Sequence, residues 1–167
     1  MPARSNLIGM PKQGRKGPAL SLETVISRHP FLAGLSPHQL RLLSDCAMLA
    51  HFTKGELIFK EGDPANRFYL IEKGRVGLEC NIREKGSTLI ELVGRGDVLG
   101  WSWLFPPYCW HFDARALEPI EAILVYATPL RDACELDCEL GYELFRRMAE
   151  VMLTRFQATR RQLLHRT

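Results

Sequence analysis

The sequence predicts a mainly β domain, a barrel or double-sheet sandwich flanked by helices, and three observations point there. Between Ala50 and Ala127, short runs rich in Ile, Leu, Val, Phe and Tyr alternate with turn signals at Gly55, Gly62-Asp63-Pro64, Lys73-Gly74, Lys85-Gly86 and Gly94-Arg95-Gly96. Strands about 8–12 residues apart with turns between them are the pattern of barrels and sandwiches. A capped helix start precedes this block, and apolar residues at steps of three or four follow it. A chain of 167 residues is long enough to bury one self-sufficient core.

Taken in order, residues 1–20 hold Arg4, Lys12, Arg15 and Lys16 without an acid, together with three glycines and three prolines. They lack apolar periodicity and read as a disordered basic arm. The body is expected from residue 21 to 127. In it, Ser36 is an N-cap, Pro37 the first helical residue, Gln39 the partner in a capping box, and Leu35 a staple onto Leu40. After the last strand, "AILVYA", Thr128 and Pro129 read as an N-cap and first helical position of a helical segment over 128–167. There Phe145, Met148, Met152, Phe156, Thr159 and Leu163 form an amphipathic stripe.

Composition narrows the function classes. No apolar run reaches the roughly 18 residues of a membrane span, and the N-terminus lacks the apolar block of a secretory signal. Five cysteines without a Cys-x-x-Cys pair suit free thiols in a reducing, cytoplasmic setting. Cys134 and Cys138, four apart on an expected helix, could share one face, and read as small buried hydrophobes before a redox or metal pair. The five histidines are scattered, with no His-x-His pair, so neither a catalytic metal nor an enzyme is expected. The net charge of +3 is segregated: residues 21–145 carry 12 basic and 18 acidic groups, whereas residues 146–167 carry six arginines against Glu150.

The segment "VLGWSWLFPPYCWHFDARALEP", Val98 to Pro119, departs from strand grammar. It gathers all three tryptophans with Phe105, Tyr108 and Phe112, and with them only one His, one Asp, one Arg and one Glu: His111, Asp113, Arg115 and Glu118. Its meaning depends on a resemblance. "HPFLAGLSPHQLRLL" resembles the opening helix of the cyclic-nucleotide-binding domain, and "KGELIFKEGDPANRFYLIEKGRVGLE" its first barrel strands. With "GRGDVLG" and "ARALEPIEAILV" the resemblance covers about residues 25–165, and it implies a double-stranded β-helix, or jelly-roll, barrel with N-terminal helices and a long C-terminal helix.

The family's phosphate-binding cassette begins Gly-Glu-Leu and ends near Pro-Arg-Ser/Thr-Ala, with a second Arg-Ala five residues after that arginine. On residues 96–116 of this sequence the resemblance puts Gly100 at the glycine, Trp101 at the glutamate, Trp110 at the arginine, His111 at the Ser/Thr and Arg115 at the second arginine. The family's glutamate accepts a hydrogen bond from the ribose 2′-hydroxyl, and its arginine pairs with the cyclic phosphate. Tryptophan does neither. Two lost charge-assisted bonds of roughly 1.5–3 kcal/mol each weaken a cyclic nucleotide by about two to four decades.

Three readings stay open: Trp101, Trp103, Trp110 and Phe112 fill an emptied pocket, or they line a pocket for a less anionic or planar ligand anchored by Ser102 and His111, or a cyclic nucleotide binds through backbone amides, Arg115 and stacking on an indole. The resemblance therefore implies a non-enzymatic sensor with an altered cassette, its only possible cofactor a weakly held cyclic nucleotide. The alternative is a genuine cyclic AMP or cyclic GMP binder, or the effector domain of a transcription regulator. The family's long helix commonly pairs across a two-fold axis, so a homodimer is expected through Phe145, Met148, Met152, Phe156 and Leu163, with an unidentified protein as the regulated partner. Regulators of this family continue into a helix-turn-helix, whereas this sequence ends at Thr167, so no sequence-specific DNA binding is expected.

Overall fold

The structure, a computed structural model, describes residues 20–165, and the expected basic arm, Leu20 apart, lies outside the described residues. Helix α1 (Leu22–Arg28) is capped by Ser21, a 3-10 turn follows at Pro30–Leu32, and α2 (Pro37–Asp45) leads into the sheets. The start of α2 follows from its sequence: Ser36 Oγ accepts from the Gln39 N–H (3.2 Å), and Gln39 Oε1 accepts from the Ser36 N–H (3.0 Å). A cap of this kind is worth about 1 kcal/mol. Leu35 and Leu40 both pack into the core beneath the helices.

Eight strands follow: β1 (Ala47–Phe52), β2 (Leu57–Phe59), β3 (Arg67–Lys73), β4 (Val76–Ile82), β5 (Gly86–Val93), β6 (Val98–Leu99), β7 (Asp113–Ala116) and β8 (Ile120–Tyr126). They form two antiparallel four-stranded sheets, ordered β1-β8-β3-β6 and β2-β7-β4-β5. This is the expected jelly-roll barrel. The turn before β4 needs its glycine: Gly74 has φ +89°, and a Cβ there would lie 2.4 Å from the Pro119 carbonyl oxygen.

Strand periodicity sorts the core into two parts. On β3, Phe68 and Leu70 face the helices while Tyr69 and Ile71 face the barrel interior; on β8, Ile123 and Val125 face the helices while Ala122 and Leu124 face inward. Both strands are buried on two faces, which is why they read as unbroken apolar runs. The helical core adds Ile26, Leu32, Leu43, Leu130, Leu140 and Leu144, and the barrel core adds Phe52, Ile58, Phe59, Val76 and Trp110.

The C-terminal segment departs from expectation in three ways. Helix α3 (Ala127–Leu136) starts before Thr128, with Tyr126 at the N-cap and no side-chain cap, because it continues directly from β8. A break at Asp137 then separates it from α4 (Cys138–Leu164), whose start Asp137 caps by accepting from the Leu140 N–H (3.0 Å). Cys134 and Cys138 consequently lie on different helices. The half-buried Cys134 thiol is pushed up to about 11, chiefly by burial, and Cys138 is exposed. Finally, Met148 is not part of a free stripe: with Leu140 and Leu144 it is buried in the helical core, and Val151 packs beside them.

The outward face of α4 is a different set. Tyr142, Phe145, Ala149, Met152, Phe156, Thr159 and Leu163 recur at alternating steps of three and four, a coiled-coil seam. Tyr142, Phe145, Phe156 and Leu163 are each more than half exposed. Among the described residues no helix is long and apolar enough to cross a membrane, and no cluster of side chains has the makings of a metal site.

Candidate functional site

The 13 residues between β6 and β7 cross the mouth of the barrel. Gly100 ends β6 at φ +90°, Trp101 caps a 3-10 turn at Ser102–Leu104, and a loop through Pro106–Pro107 returns to β7. The return leg is zipped to the loop before β3 by main-chain bonds: Gly62 N–H to Trp110 O (2.9 Å), Trp110 N–H to Asp63 O (3.0 Å) and Ala65 N–H to Tyr108 O (2.6 Å). Trp110 thus has little freedom to leave its place.

That place is the interior. Trp110 is 2% exposed and stacks on Phe59 with ring centres 3.8 Å apart and planes 10° apart. Its six-membered ring covers Gly100 so closely that a Cβ there would lie 2.7 Å from an indole carbon. Only glycine fits beneath it. Gly100, Trp101, Ser102, Trp110, His111 and Phe112 line one cavity, walled further by Phe59, Leu78 and Arg155. Its volume is about 20 Å³, scarcely more than one water needs, whereas sites for small molecules span roughly 300–1,000 Å³. The ring of Trp101 lies 5.9 Å from that of His111 at the cavity's outer wall.

Two residues grouped with this site by sequence lie elsewhere. Trp103 is equally buried but belongs to the helical core, where it stacks on Phe68 at 5.0 Å. Arg115 is turned away from the cavity: its Nε is 3.3 Å from Glu79 Oε2 and its Nη1 donates to the Gly55 carbonyl (3.1 Å). Strand alternation separates it from Ala114 and Ala116, which point inward.

Contacts from the C-terminal helices hold the segment down, and sequence reasoning missed them because they are long-range. Arg131 of α3 donates from Nη1 to the Trp103 carbonyl (2.7 Å), and its guanidinium lies 4.7 Å from the centre of the Tyr108 ring. Phe105 meets Phe145 of α4 edge-on at 6.4 Å. Arg155 of α4 donates from Nη2 to the Val98 carbonyl, and its Nε lies 3.0 Å from Glu91 Oε1 on β5. Burial raises the Glu91 carboxyl, opposed by Arg155 and reinforced by Asp97. On the other flank, buried His29 accepts the Phe31 N–H at Nδ1 (3.2 Å), leaving Nε2–H to donate to the Ile71 carbonyl (3.3 Å). Burial lowers its pKa.

These elements define a jelly-roll domain with a long C-terminal helix laid against it. The family model of the cyclic nucleotide-binding domain matches residues 49–137, and the chain belongs to that family. It is 23% identical over 128 residues to the CRP-like cAMP-activated global transcriptional regulator of Mycobacterium tuberculosis, a match spanning 77% of this chain and 57% of the regulator. Over 78 residues it is 38% identical to the cAMP-dependent protein kinase regulatory subunit of Emericella nidulans, spanning 47% of this chain and 18% of the subunit. The chain thus matches little more than half the length of the regulator. Among solved structures it resembles a candidate cyclic nucleotide-binding protein of Geobacter metallireducens (TM-score 0.73, 28% identity, 83% of this chain and 99% of that one). It also shares the fold of a cyclic nucleotide-binding domain of Methylobacillus flagellatus (TM-score 0.74, 20% identity, 87% and 82%).

Proposed function

We propose that the protein is a non-enzymatic regulatory module of the cyclic nucleotide-binding family with an altered cassette, which signals through α4 and takes cyclic nucleotides weakly if at all. The observation that carries this reading is the Trp110 indole, which lies on Gly100 and Phe59 and leaves about 20 Å³ at the mouth of the barrel. With Trp101 beside it, neither a carboxylate for a ribose hydroxyl nor a cassette guanidinium for a phosphate is at hand. The output element is α4, because it contacts the segment through Phe105–Phe145 and Arg155–Val98.

The double variant Trp101→Glu with Trp110→Arg tests the positions. Calorimetric titration with cyclic AMP and cyclic GMP should show a gain over wild type of up to the two to four decades estimated for two charge-assisted bonds. A folded double variant that binds neither nucleotide would remove the assignment of these two positions.

The partner expected on α4 is a second copy. Seven seam residues over three heptads leave Tyr142, Phe145, Phe156 and Leu163 uncovered, and a self-complementary helix face is satisfied by a two-fold axis. Phe156→Glu should dissociate the dimer in sedimentation while leaving the β-sheet spectrum unchanged. A wild type that is monomeric at micromolar concentration would contradict the pairing.

A further inference from the structure

Strand β5 is the outer strand of its sheet, paired only with β4, and its surface is apolar. Leu89, Ile90 and Leu92 are 51%, 44% and 50% exposed, with Ile90 the extra residue of a bulge between the pairs Leu78–Glu91 and Glu79–Leu89. Edge strands are usually blunted by charges or proline. Here the only charged residue from Gly86 to Val93 is Glu91, and Arg155 of α4 engages it at 3.0 Å. Between β5 and the end of α4 runs an open groove of about 750 Å³, lined by Leu89, Ile90 and Leu92 on one side and by Ala158, Thr159 and Gln162 on the other. Thr159 is also a seam residue, so the groove and the seam are adjoining parts of one surface.

The two flanks of that seam differ. Met148, Val151 and Arg155, each one position before a seam residue, face the subunit's own body. Arg146, Leu153 and Arg160, each one position after a seam residue, lie on the opposite flank, where Leu153 is 55% exposed. When two parallel helices pair across a two-fold axis, the preceding flank of one faces the following flank of the other. The flank that meets a partner's Leu153 and Arg160 is therefore the one that carries the β5 groove. We propose that this groove receives α4 of a second copy, with the partner's Leu153 packed on Ile90 and Leu92 and the partner's Arg160 approaching Glu91, which lines the groove. The proposal rests on the pairing of α4 argued above. Size and charge both favour a second copy as the occupant. A three-heptad seam that includes Ala149 and Thr159 is short for a stable dimer, whose interfaces bury about 1,200–2,000 Å², and β5 extends it on both sides of the axis. The groove supplies an acid and the partner's flank an arginine. Each helix then touches the barrel of the other subunit as well as its own.

The test is sedimentation equilibrium of the full chain, with circular dichroism to show that each variant is folded. Ile90→Lys and Leu153→Glu should each raise the dimer dissociation constant by about a hundredfold or more, because an apolar contact is lost twice per dimer. The combination of Ile90→Lys with Leu153→Glu sets opposite charges against each other across the interface and should recover part of that loss. Leu153→Glu changes an exposed helix position and keeps the test open should the strand variant fail to fold. A monomeric wild type overturns the pairing of α4, and the groove contact with it. A dimeric wild type whose constant is unchanged in Ile90→Lys overturns the groove contact alone. A loss in Ile90→Lys without one in Leu153→Glu overturns α4 as the occupant, in favour of edge-to-edge pairing of β5. Losses that simply add in the combined variant overturn the contact between the two residues.

Discussion

Trp103 and Trp110 lie seven positions apart on one segment, are each 2% exposed and each stack on a phenylalanine, yet they belong to different regions. Trp103 lies under the helices on Phe68, in a core that includes residues of α1 to α4. Trp110 lies on Phe59 inside the barrel, over a glycine that tolerates nothing larger beneath it. The difference teaches that burial alone does not separate architecture from site. What separates them is which core the ring enters, and whether a backbone opening is reserved for it.

The largest expected effect sharpens this contrast. Trp103→Ala and Trp110→Ala should each lose about 3–5 kcal/mol in denaturant unfolding, the usual cost of truncating a buried aromatic. Only Trp110→Ala should bind cyclic AMP more tightly than wild type in calorimetry, because only that truncation opens the barrel mouth. Equal behaviour of the two variants toward the nucleotide would break the distinction. A smaller effect is expected at the tether between the regions. Arg131→Ala removes the bond to the Trp103 carbonyl and the cation over Tyr108, and should cost roughly 1.5–3 kcal/mol, with faster amide exchange over residues 102–109.

The smallest effect is one of pH. His29 joins the 3-10 turn to β3 as a neutral imidazole, and burial lowers its pKa below the ordinary value of 6.5. The unfolded chain therefore takes up the proton first as pH falls. The stability that His29 contributes is present above pH 6.5 and is lost as pH drops from there through the lower folded-state value. Melting curves of His29→Gln should be flatter than those of wild type between about pH 6.5 and 5. Identical slopes would show that His29 takes up its proton at the same pH in the folded and unfolded states, and would contradict the shift.

Much of this fold was legible in the sequence because its signals are local. The Ser36 capping box, the glycine turns at 55, 62, 74, 86 and 96, and the doubly buried runs of β3 and β8 all act over a few residues. The break at Asp137 was hidden because "ACELDCELG" is helical in composition on both sides, the one hint being an aspartate three residues before Leu140. Met148 was misplaced because steps of three and four occur on two faces of α4 at once, and only tertiary packing shows which is covered.

At the site, Gly100, Trp101, Ser102, Trp110, His111 and Phe112, grouped by their positions in the sequence, do line one cavity. The separate fate of Trp103 and the engagement of Arg115 with Glu79 depend on which face a turn or strand presents. Arg155 lies 57 residues from its acceptor at Val98, and nothing local in the sequence marks such a pair.

The claim on which the functional reading depends is that the Trp110 indole occupies the nucleotide's place. Isothermal titration of cyclic AMP and of cyclic GMP into wild-type protein tests it most directly. With two charge-assisted bonds missing, the expected dissociation constants are in the high micromolar range or weaker. A sub-micromolar constant for either nucleotide would contradict the account.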